Sequence, residues 1–569
     1  MHPMNSSVQG NPSQSASALD VWWAMDTLNI SGNLLFGYGW CACSGLSCDA
    51  VALVLEYSDG TCERIAASCG QAREDVSSMY PDLPDNCGFL VYAVIGSLRI
   101  QSVTLSICLS GGSESARFSL SGMIPGSILP TGQGGKLSSL ISQWPRFARS
   151  AWKHFRQRDF AFLNKYSAIL FRSIFHGLRR HDGLANLVER IPAGAALIVD
   201  HDLGGGANIF RDRLIDKLRT SGQTVVLLSF VPVVLSYQLR ILQPSIEPFD
   251  VRVDANWWMT LAVSRKFSTI YFNNCVSHPN PERMPEVLLH LQRATGARLV
   301  TFIHDFHVIC PSHFLLDRHG EYCGIPSEEN CRNCLPVIDD NLVALYTARD
   351  IDAWRASWLS CLEATDEVIC FAASGRDLLL RAYPTLATRE ITIRPHEVQP
   401  LGNRYVYPEK GAKLTIGVVG MINLHKGSRV LLALAEEIER RNLSVRICII
   451  GTLNAVGCSK IIEQTGRYRP DELPSLIARN GIHLALMPSI WPETFSFVTH
   501  ELISTGVPVI SFDLGAQGSA VRAYRLGHVV PLSSAKQLLD QILEFRMKLD
   551  GIFYDDQRNH AQLLSTLTV

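Results

Sequence analysis

The sequence has no surplus of either charge: 52 Lys+Arg stand against 53 Asp+Glu, a formal net charge of −1. That balance carries no nucleic-acid signature, so nucleic acid is not an expected partner. Long apolar runs are also missing. None reaches the ~18 residues of a membrane-spanning helix, and Val225 to Leu235 has only the length of a strand or core segment. The first residues, MHPMNSSVQGNPSQSASALD, lack the basic start and apolar centre of an export signal. The sixteen cysteines are therefore expected as thiols or metal ligands, not disulfides, in a cytoplasmic protein. What the chain does have is apolar material, 47% hydrophobic against 18% charged, enough to bury large cores. Its 569 residues suggest two to four domains.

Residues 1–18 are a Ser/Asn/Gln/Pro tail, expected to be disordered. Over 19–125 short β-type runs recur between turn residues: Ala50 to Ser58 before Asp59-Gly60, Gly88 to Gly96, and Ile100 to Leu109 before Gly111-Gly112. Asp-Gly and Gly-Gly between such runs signal hairpins, and their recurrence predicts a β-sandwich accessory domain. Trp22, Trp23 and Trp40 are expected in the core or an interface, with sugar stacking as the alternative. The seven cysteines between Cys41 and Cys108 match no metal pattern and are expected as small buried hydrophobes.

Residues 126–194 read as a Gly/Pro-rich linker followed by a basic helical segment. Between Lys136 and Arg180 ten Lys/Arg accompany one acid, Asp159, interleaved with Trp144, Trp152, Phe155 and other aromatics. Two readings stand for 136–180: peripheral contact with the inner face of a membrane, or a spacer packed on a neighbouring domain.

From Ala195 strands and helices alternate, which predicts doubly wound parallel sheets. One set occupies 195–410, with strands at Ala195 to His201, Thr224 to Val231, Ser268 to Cys275, Arg298 to His304 and Glu367 to Ala372. A second set occupies 411–550, with strands starting at Leu414, Val445, Ile482, Val507 and Gly527; 551–569 is a C-terminal tail. The predicted architecture is α/β: two Rossmann-like domains facing a cleft, preceded by an all-β domain. Ligands belong at the carboxyl ends of the strands.

Two stretches carry chemistry. In Gly420-Met-Ile-Asn-Leu-His-Lys426-Gly427 a strand turns into a helix, so Lys426, the flexible Gly427 and free helix N–H groups can meet a diphosphate. In Met487 to Ala520 two carboxylates, Glu493 and Glu501, flank an expected helix. If both were helical they would lie roughly 12 Å apart at ~1.5 Å per residue. From spacing alone they could hold two ends of one elongated ligand, or simply favour the helix dipole and solvent.

The span 413–550 resembles the donor half of retaining glycosyltransferases of the GT-B architecture, family 4. The residues that carry this are Glu493-TFSFVTH-Glu501, the following Gly506-Val-Pro-Val-Ile, and Thr465-Gly466-Arg467-Tyr468. The resemblance implies that Glu493 lies beside the sugar of a nucleotide-sugar donor and that Glu501 holds the ribose. It implies that the amides of Ser496 and Phe497 meet the diphosphate. Met421 departs from the pattern, since many relatives have Arg there. On the facing half, Asp202-Leu-Gly204-Gly205-Gly206 resembles the family's glycine loop, and His304-Asp305 its cleft histidine. Pro395-His396 is a further family element without an assigned role. Through Gly39-Trp40, Arg73-Glu-Asp75-Val76, Tyr80-Pro81 and Gly88-Phe89, the stretch from Leu19 to about Met123 resembles sandwich modules appended to some bacterial polysaccharide glycosyltransferases.

Cys310, Cys323, Cys331 and Cys334 form C-x12-C-x7-C-x2-C in a segment with little regular structure. Four thiolates could make a closed structural Zn site there, or remain unligated thiols. The expected function is transfer of a sugar from a nucleotide sugar to a hydroxyl of a glycan or lipid-linked glycan in surface polysaccharide synthesis, with no catalytic metal. The alternatives are a glycan phosphorylase of the same architecture and a glycan-binding protein with decayed transferase halves.

Overall fold

The computed structural model describes residues 21–43, 48–80, 83–84, 86–96, 99–109, 114–120, 188–244, 248–402, 404–455 and 459–555. The expected N-terminal tail, the basic segment 136–180 and most of the C-terminal tail lie outside them.

Eight antiparallel strands come first: Val21–Ser31 (β1), Leu34–Cys43 (β2), Cys48–Tyr57 (β3), Cys62–Ala66 (β4), Ser68–Gln71 (β5), Gly88–Val94 (β6), Ile100–Leu109 (β7) and Glu114–Ser119 (β8). They form two four-stranded sheets, β1-β2-β6-β5 and β4-β3-β7-β8. Alternation along the strands sends Leu35, Phe89 and Val91 of one sheet and Leu53, Leu55, Val103 and Leu105 of the other into one core. Trp23 and Trp40 are buried, whereas Trp22 is exposed.

The outer face of the first sheet is not solvent-facing throughout. Leu34, Phe36 and Tyr92 join the apolar cluster of the next domain, where Tyr92 stacks at 6.5 Å on Phe230. The buried Tyr92 hydroxyl donates to the Ser277 carbonyl at 2.9 Å. Gly70, at φ +81, meets Ala455 of the third domain backbone to backbone; a Cβ there would sit 2.7 Å from Ala455. The β domain thus touches both domains that follow.

The second domain holds Ala195–His201 (β9), Val225–Val231 (β10), Ser236–Leu242 (β11), Phe249–Val253 (β12), Phe267–Phe272 (β13), Arg298–Ile303 (β14), Glu367–Cys370 (β15) and Ile391–Ile393 (β16). Their order is β12-β11-β10-β9-β13-β14-β15-β16. β10 to β16 across β9 run parallel, and β9 is buried at every residue, as a strand covered on both faces must be. The apolar run Val225 to Leu235 does not continue as one strand. Pro232 opens a single 3-10 turn, Leu235 adopts a left-handed φ of 47°, and the chain returns as antiparallel β11.

The third domain holds Leu414–Ile422 (β17), Val445–Leu453 (β18), Ile462–Gln464 (β19), Leu484–Met487 (β20), Val509–Phe512 (β21) and Gly527–Val530 (β22). All pairings are parallel, in the order β19-β18-β17-β20-β21-β22. In sequence order that is 3-2-1-4-5-6, the doubly wound arrangement, and the winding reverses between β17 and β20. The loops leaving those two strands carry Lys426 and Glu493.

Tyr92→Phe removes the buried hydroxyl and leaves the Ser277 carbonyl without that donor. We expect a loss of about 1 kcal/mol, read as a lowered urea midpoint against wild type.

Candidate functional site

At the reversal point two loops close on each other. Gly427, at φ +88, caps helix Ser428–Arg440, and a Cβ there would lie 2.1 Å from the Pro488 carbonyl oxygen. Only glycine lets the turn after β17 reach the loop after β20. The closure brings Lys426 Nζ to 2.7 Å from Glu493 Oε1. The Ser489 hydroxyl donates to the same oxygen at 2.5 Å. The Glu493 backbone N–H donates to Gln517 Oε1 at 3.0 Å, and its carbonyl accepts from Ala516 N at 2.8 Å. Glu493 is 2% exposed, while the Lys426 side chain remains 29% open to the cleft. A carboxylate this buried is retained because a cation and a hydroxyl hold it.

The helix expected to start near Glu493 starts later, as Phe497–Thr505. Glu493 is in the extended loop before it, so the two carboxylates are not placed by helical spacing. The loop is held extended by Pro492, the bonds just given, and donation from Thr494 Oγ1 to the His304 carbonyl at 2.6 Å. Ser496 is the buried N-cap residue; its Oγ accepts from Thr499 Oγ1 at 2.8 Å, and Phe497 opens the helix. Glu501 lies within the helix, half-buried. Burial raises its carboxyl above the usual range. Among the described residues none hydrogen-bonds that carboxylate. Gly506 ends the helix in the left-handed region, as the sequence indicates.

Across the cleft, Gly204 and Gly205 both take φ +85, and Gly206 begins helix Gly206–Thr220. A Cβ on Gly206 would touch the Phe497 ring at 3.4 Å, so this turn stands against helix Phe497–Thr505. Asn208 holds the turn by accepting from Gly204 N at 2.6 Å and donating to Asp200 at 2.8 Å. Below it, burial pushes the Asp200 carboxyl up to about 6, against the pull of Arg211 at 3.2 Å.

His304 is bonded through Nε2 to Asn273 Oδ1 at 2.8 Å. Its ring lies 4.6 Å from Phe371, which stacks at 3.9 Å on His396, which in turn stacks at 5.0 Å on Phe497. Burial, then the neighbouring His396, holds His304 well below the usual imidazole range, and burial brings His396 down to about 4. Both are neutral rings at pH 7. His396, which had no assigned role, pins the two halves together through these stacks. Arg213 reaches the same place: its guanidinium lies 5.8 Å over the Phe497 ring. Met421 is exposed at the end of β17. Ser489, Thr494, Asn273 and the helical Gln517 and Arg213 were missed in the sequence, because single polar residues carry no periodic signal.

The expected tetrahedral cysteine site is not formed. Among the described residues no group of three or more His, Cys, Asp or Glu is placed to hold a metal. Cys310, Cys323, Cys331 and Cys334 are free, half-buried thiols packed on the second domain's core. Burial pushes the Cys310 thiol up to about 12 and that of Cys323 to about 11. The segment has its own order: Cys323 N donates to the Leu315 carbonyl at 3.0 Å, Asp317 N to that of Glu321 at 2.8 Å, and Glu328–Cys334 is a helix. Its Phe314 stacks at 3.7 Å on His425, beside Lys426, so it walls the site.

Lys426→Met would strand the buried Glu493 carboxylate. We expect a loss of about 3 kcal/mol, measured by chemical denaturation, with Glu493→Gln in the same chain restoring part of it.

Residues 413–546 match the profile of the family described as "Glycosyl transferases group 1". The chain matches none of the curated proteins significantly. Among solved structures, Anabaena Alr3699/HepE in complex with UDP-glucose is 13% identical, covers 65% of this chain and 99% of its own, and has a TM-score of 0.38. A glycosyltransferase from Rickettsia africae ESF-5 is 14% identical, covers 63% and 89%, and scores 0.39. MurG of Acinetobacter baumannii is 9% identical, covers 62% and 94%, and scores 0.31. At such scores these likenesses add nothing to the sheet order. By the family match, the C-terminal domain of this chain is similar to group 1 glycosyl transferases.

Proposed function

We propose that this chain is a retaining glycosyltransferase that moves a sugar from a nucleotide-sugar donor to a hydroxyl of a glycan or lipid-linked glycan in surface polysaccharide synthesis. One observation carries the reading: a buried Lys426–Glu493 pair stands at the reversal point of a doubly wound parallel sheet, where such sheets bind nucleotides. The donor diphosphate lies against Lys426 and the free N–H groups at the starts of helices Ser428–Arg440 and Phe497–Thr505, Ser496 and Phe497 included. The sugar faces Glu493, and Glu501 takes the ribose hydroxyls. A half-buried carboxylate that no group among the described residues hydrogen-bonds suits that task.

In the reaction the bond from the anomeric carbon to the diphosphate oxygen breaks. The acceptor oxygen bonds to the same face of that carbon, and its proton passes to the leaving diphosphate. Charge grows on the diphosphate in the transition state, so fixed positive groups there lower the barrier. Lys426, two helix starts and Arg213 at the cleft supply them. His304 remains a neutral ring; its place is to contact the sugar and, through its carbonyl, to hold the Thr494 loop.

Glu493→Ala is expected to lower kcat about 10²-fold or more, while Glu501→Gln raises the donor KM with kcat little changed. Steady-state kinetics with a nucleotide-sugar panel checks both. Full activity of Glu493→Ala would overturn the assignment.

A further inference from the structure

Between Cys310 and Cys323 the chain turns back on itself as a small hairpin. Leu316 bridges Tyr322, Asp317 Oδ1 accepts from His319 N at 2.8 Å and from Glu321 N at 3.1 Å, and Gly320 takes φ +76. The base of the hairpin belongs to the second domain. Leu315 is buried there at a left-handed φ of 55°, which a leucine rarely adopts, and its N–H donates to the Ser312 carbonyl at 2.7 Å. Tyr322, Cys323 and Ile325 pack on that domain's core, and Arg381 donates to the Gly324 carbonyl at 3.1 Å. Held in this way, the hairpin moves with the second domain.

Its tip lies on the third domain, around the turn that carries Lys426. Phe314 stacks on His425 at 3.7 Å, and the His319 carbonyl accepts from Arg429 Nη1 at 3.1 Å. A Cβ on Gly320 would sit 3.5 Å from the Leu424 side chain. Leu424, His425 and Arg429 bracket Lys426 on both sides. Leu316 packs against the apolar clusters of both domains, and Phe314 meets Trp491 edge to face at 4.6 Å. Within its own domain the turn is tied through its backbone. Lys426 N donates to Asn423 Oδ1 at 3.3 Å, Gly427 N to the Leu424 carbonyl at 3.0 Å, and Ile490 N to the His425 carbonyl at 3.1 Å. The side chains that flank Lys426 are held from the other domain. Burial, then the neighbouring Lys426, keeps the His425 imidazole well below its usual range, so the ring adds no second charge there. A hairpin that served only its own domain would leave this turn untouched.

We propose that this hairpin is a positioning element for the donor turn: Phe314, His319 and Gly320 of the second domain hold Leu424, His425 and Arg429 of the third, and thereby set Lys426 for a diphosphate. The proposal rests on the reading that this turn receives a diphosphate. It adds that the facing domain supplies part of the affinity, so that donor binding depends on the two domains being together.

The test uses the full-length chain and the variants Phe314→Ala, Phe314→Tyr and Arg429→Met. Hydrogen exchange without ligand is read over residues 423–429, and binding of a panel of nucleoside diphosphates by thermal-shift titration. Phe314→Ala and Arg429→Met are each expected to exchange at least about fivefold faster over 423–429, with β9 and β21 unchanged. Phe314→Ala is expected to bind the diphosphate at least about fivefold more weakly, while Phe314→Tyr, which keeps a ring on His425, behaves as wild type. Arg429→Met alters an exposed side chain, so its exchange decides the matter even where Phe314→Ala does not fold. Three results would each overturn the proposal: unchanged exchange over 423–429, a rise that extends equally to β9 and β21, or undiminished diphosphate binding by Phe314→Ala. A wild type that binds no diphosphate would overturn the donor reading instead, and the ligand-free exchange would still decide whether the hairpin holds the turn.

Discussion

The ion pair between Lys426 and Glu493 is the contact on which the geometry of the cleft depends. Each residue comes from a different loop, and the two loops leave the strands at which the third domain's sheet reverses its winding. A buried carboxylate tolerates its position only while paired. Everything around it serves that pairing: Gly427 permits the backbone approach, Ser489 and Gln517 satisfy the remaining polar groups, and Phe314 on His425 closes the side. On the proposed reading, the lysine that neutralises Glu493 is also the cation nearest the donor diphosphate. Donor binding would then redistribute a charge already in place, with little reorganisation.

The two Rossmann-like domains are joined by more than a linker. Thr494 donates to the His304 carbonyl, and the stack from His304 through Phe371 and His396 to Phe497 crosses the cleft. Such ring contacts contribute about 0.5–1.5 kcal/mol each beyond area burial. They are modest enough to open for a ligand and specific enough to restore one register. The β domain adds a second tie, since Tyr92 binds the Ser277 carbonyl while Gly70 rests on Ala455. Domain closure is therefore constrained from the cleft and from the far side.

The architecture was legible because β9, β10, β14 and β17 are short apolar runs between turn residues, and that pattern follows directly from burial on both faces. β11 and β12 were not legible. β12 is the sheet's edge and β11 its neighbour, with alternate residues only half-buried, hidden behind Pro232 in a run that looks continuous. At the site, the identities of Lys426, Gly427, Glu493 and Glu501 could be read, but their pairing could not, because the sequence separates Lys426 from Glu493 by 67 positions. The spacing of Glu493 and Glu501 left open whether both are helical; Glu493 stands in the loop, whose Thr494 is hydrogen-bonded to the other domain. The cysteine segment seemed to need a metal because it lacks long regular elements. Short-range backbone bonds and packing against the core organise it instead.

The central claim is that the Lys426–Glu493 turn receives the diphosphate of a nucleotide sugar. Thermal-shift titration with nucleoside diphosphates and their sugars tests it most directly, because a ligand that binds the folded state raises the melting temperature by mass action. The account predicts a shift for wild type with at least one diphosphate, no shift with the matching nucleoside, and loss of the diphosphate shift in Lys426→Met. Equal shifts in wild type and Lys426→Met, or none with any nucleotide in wild type, would contradict it.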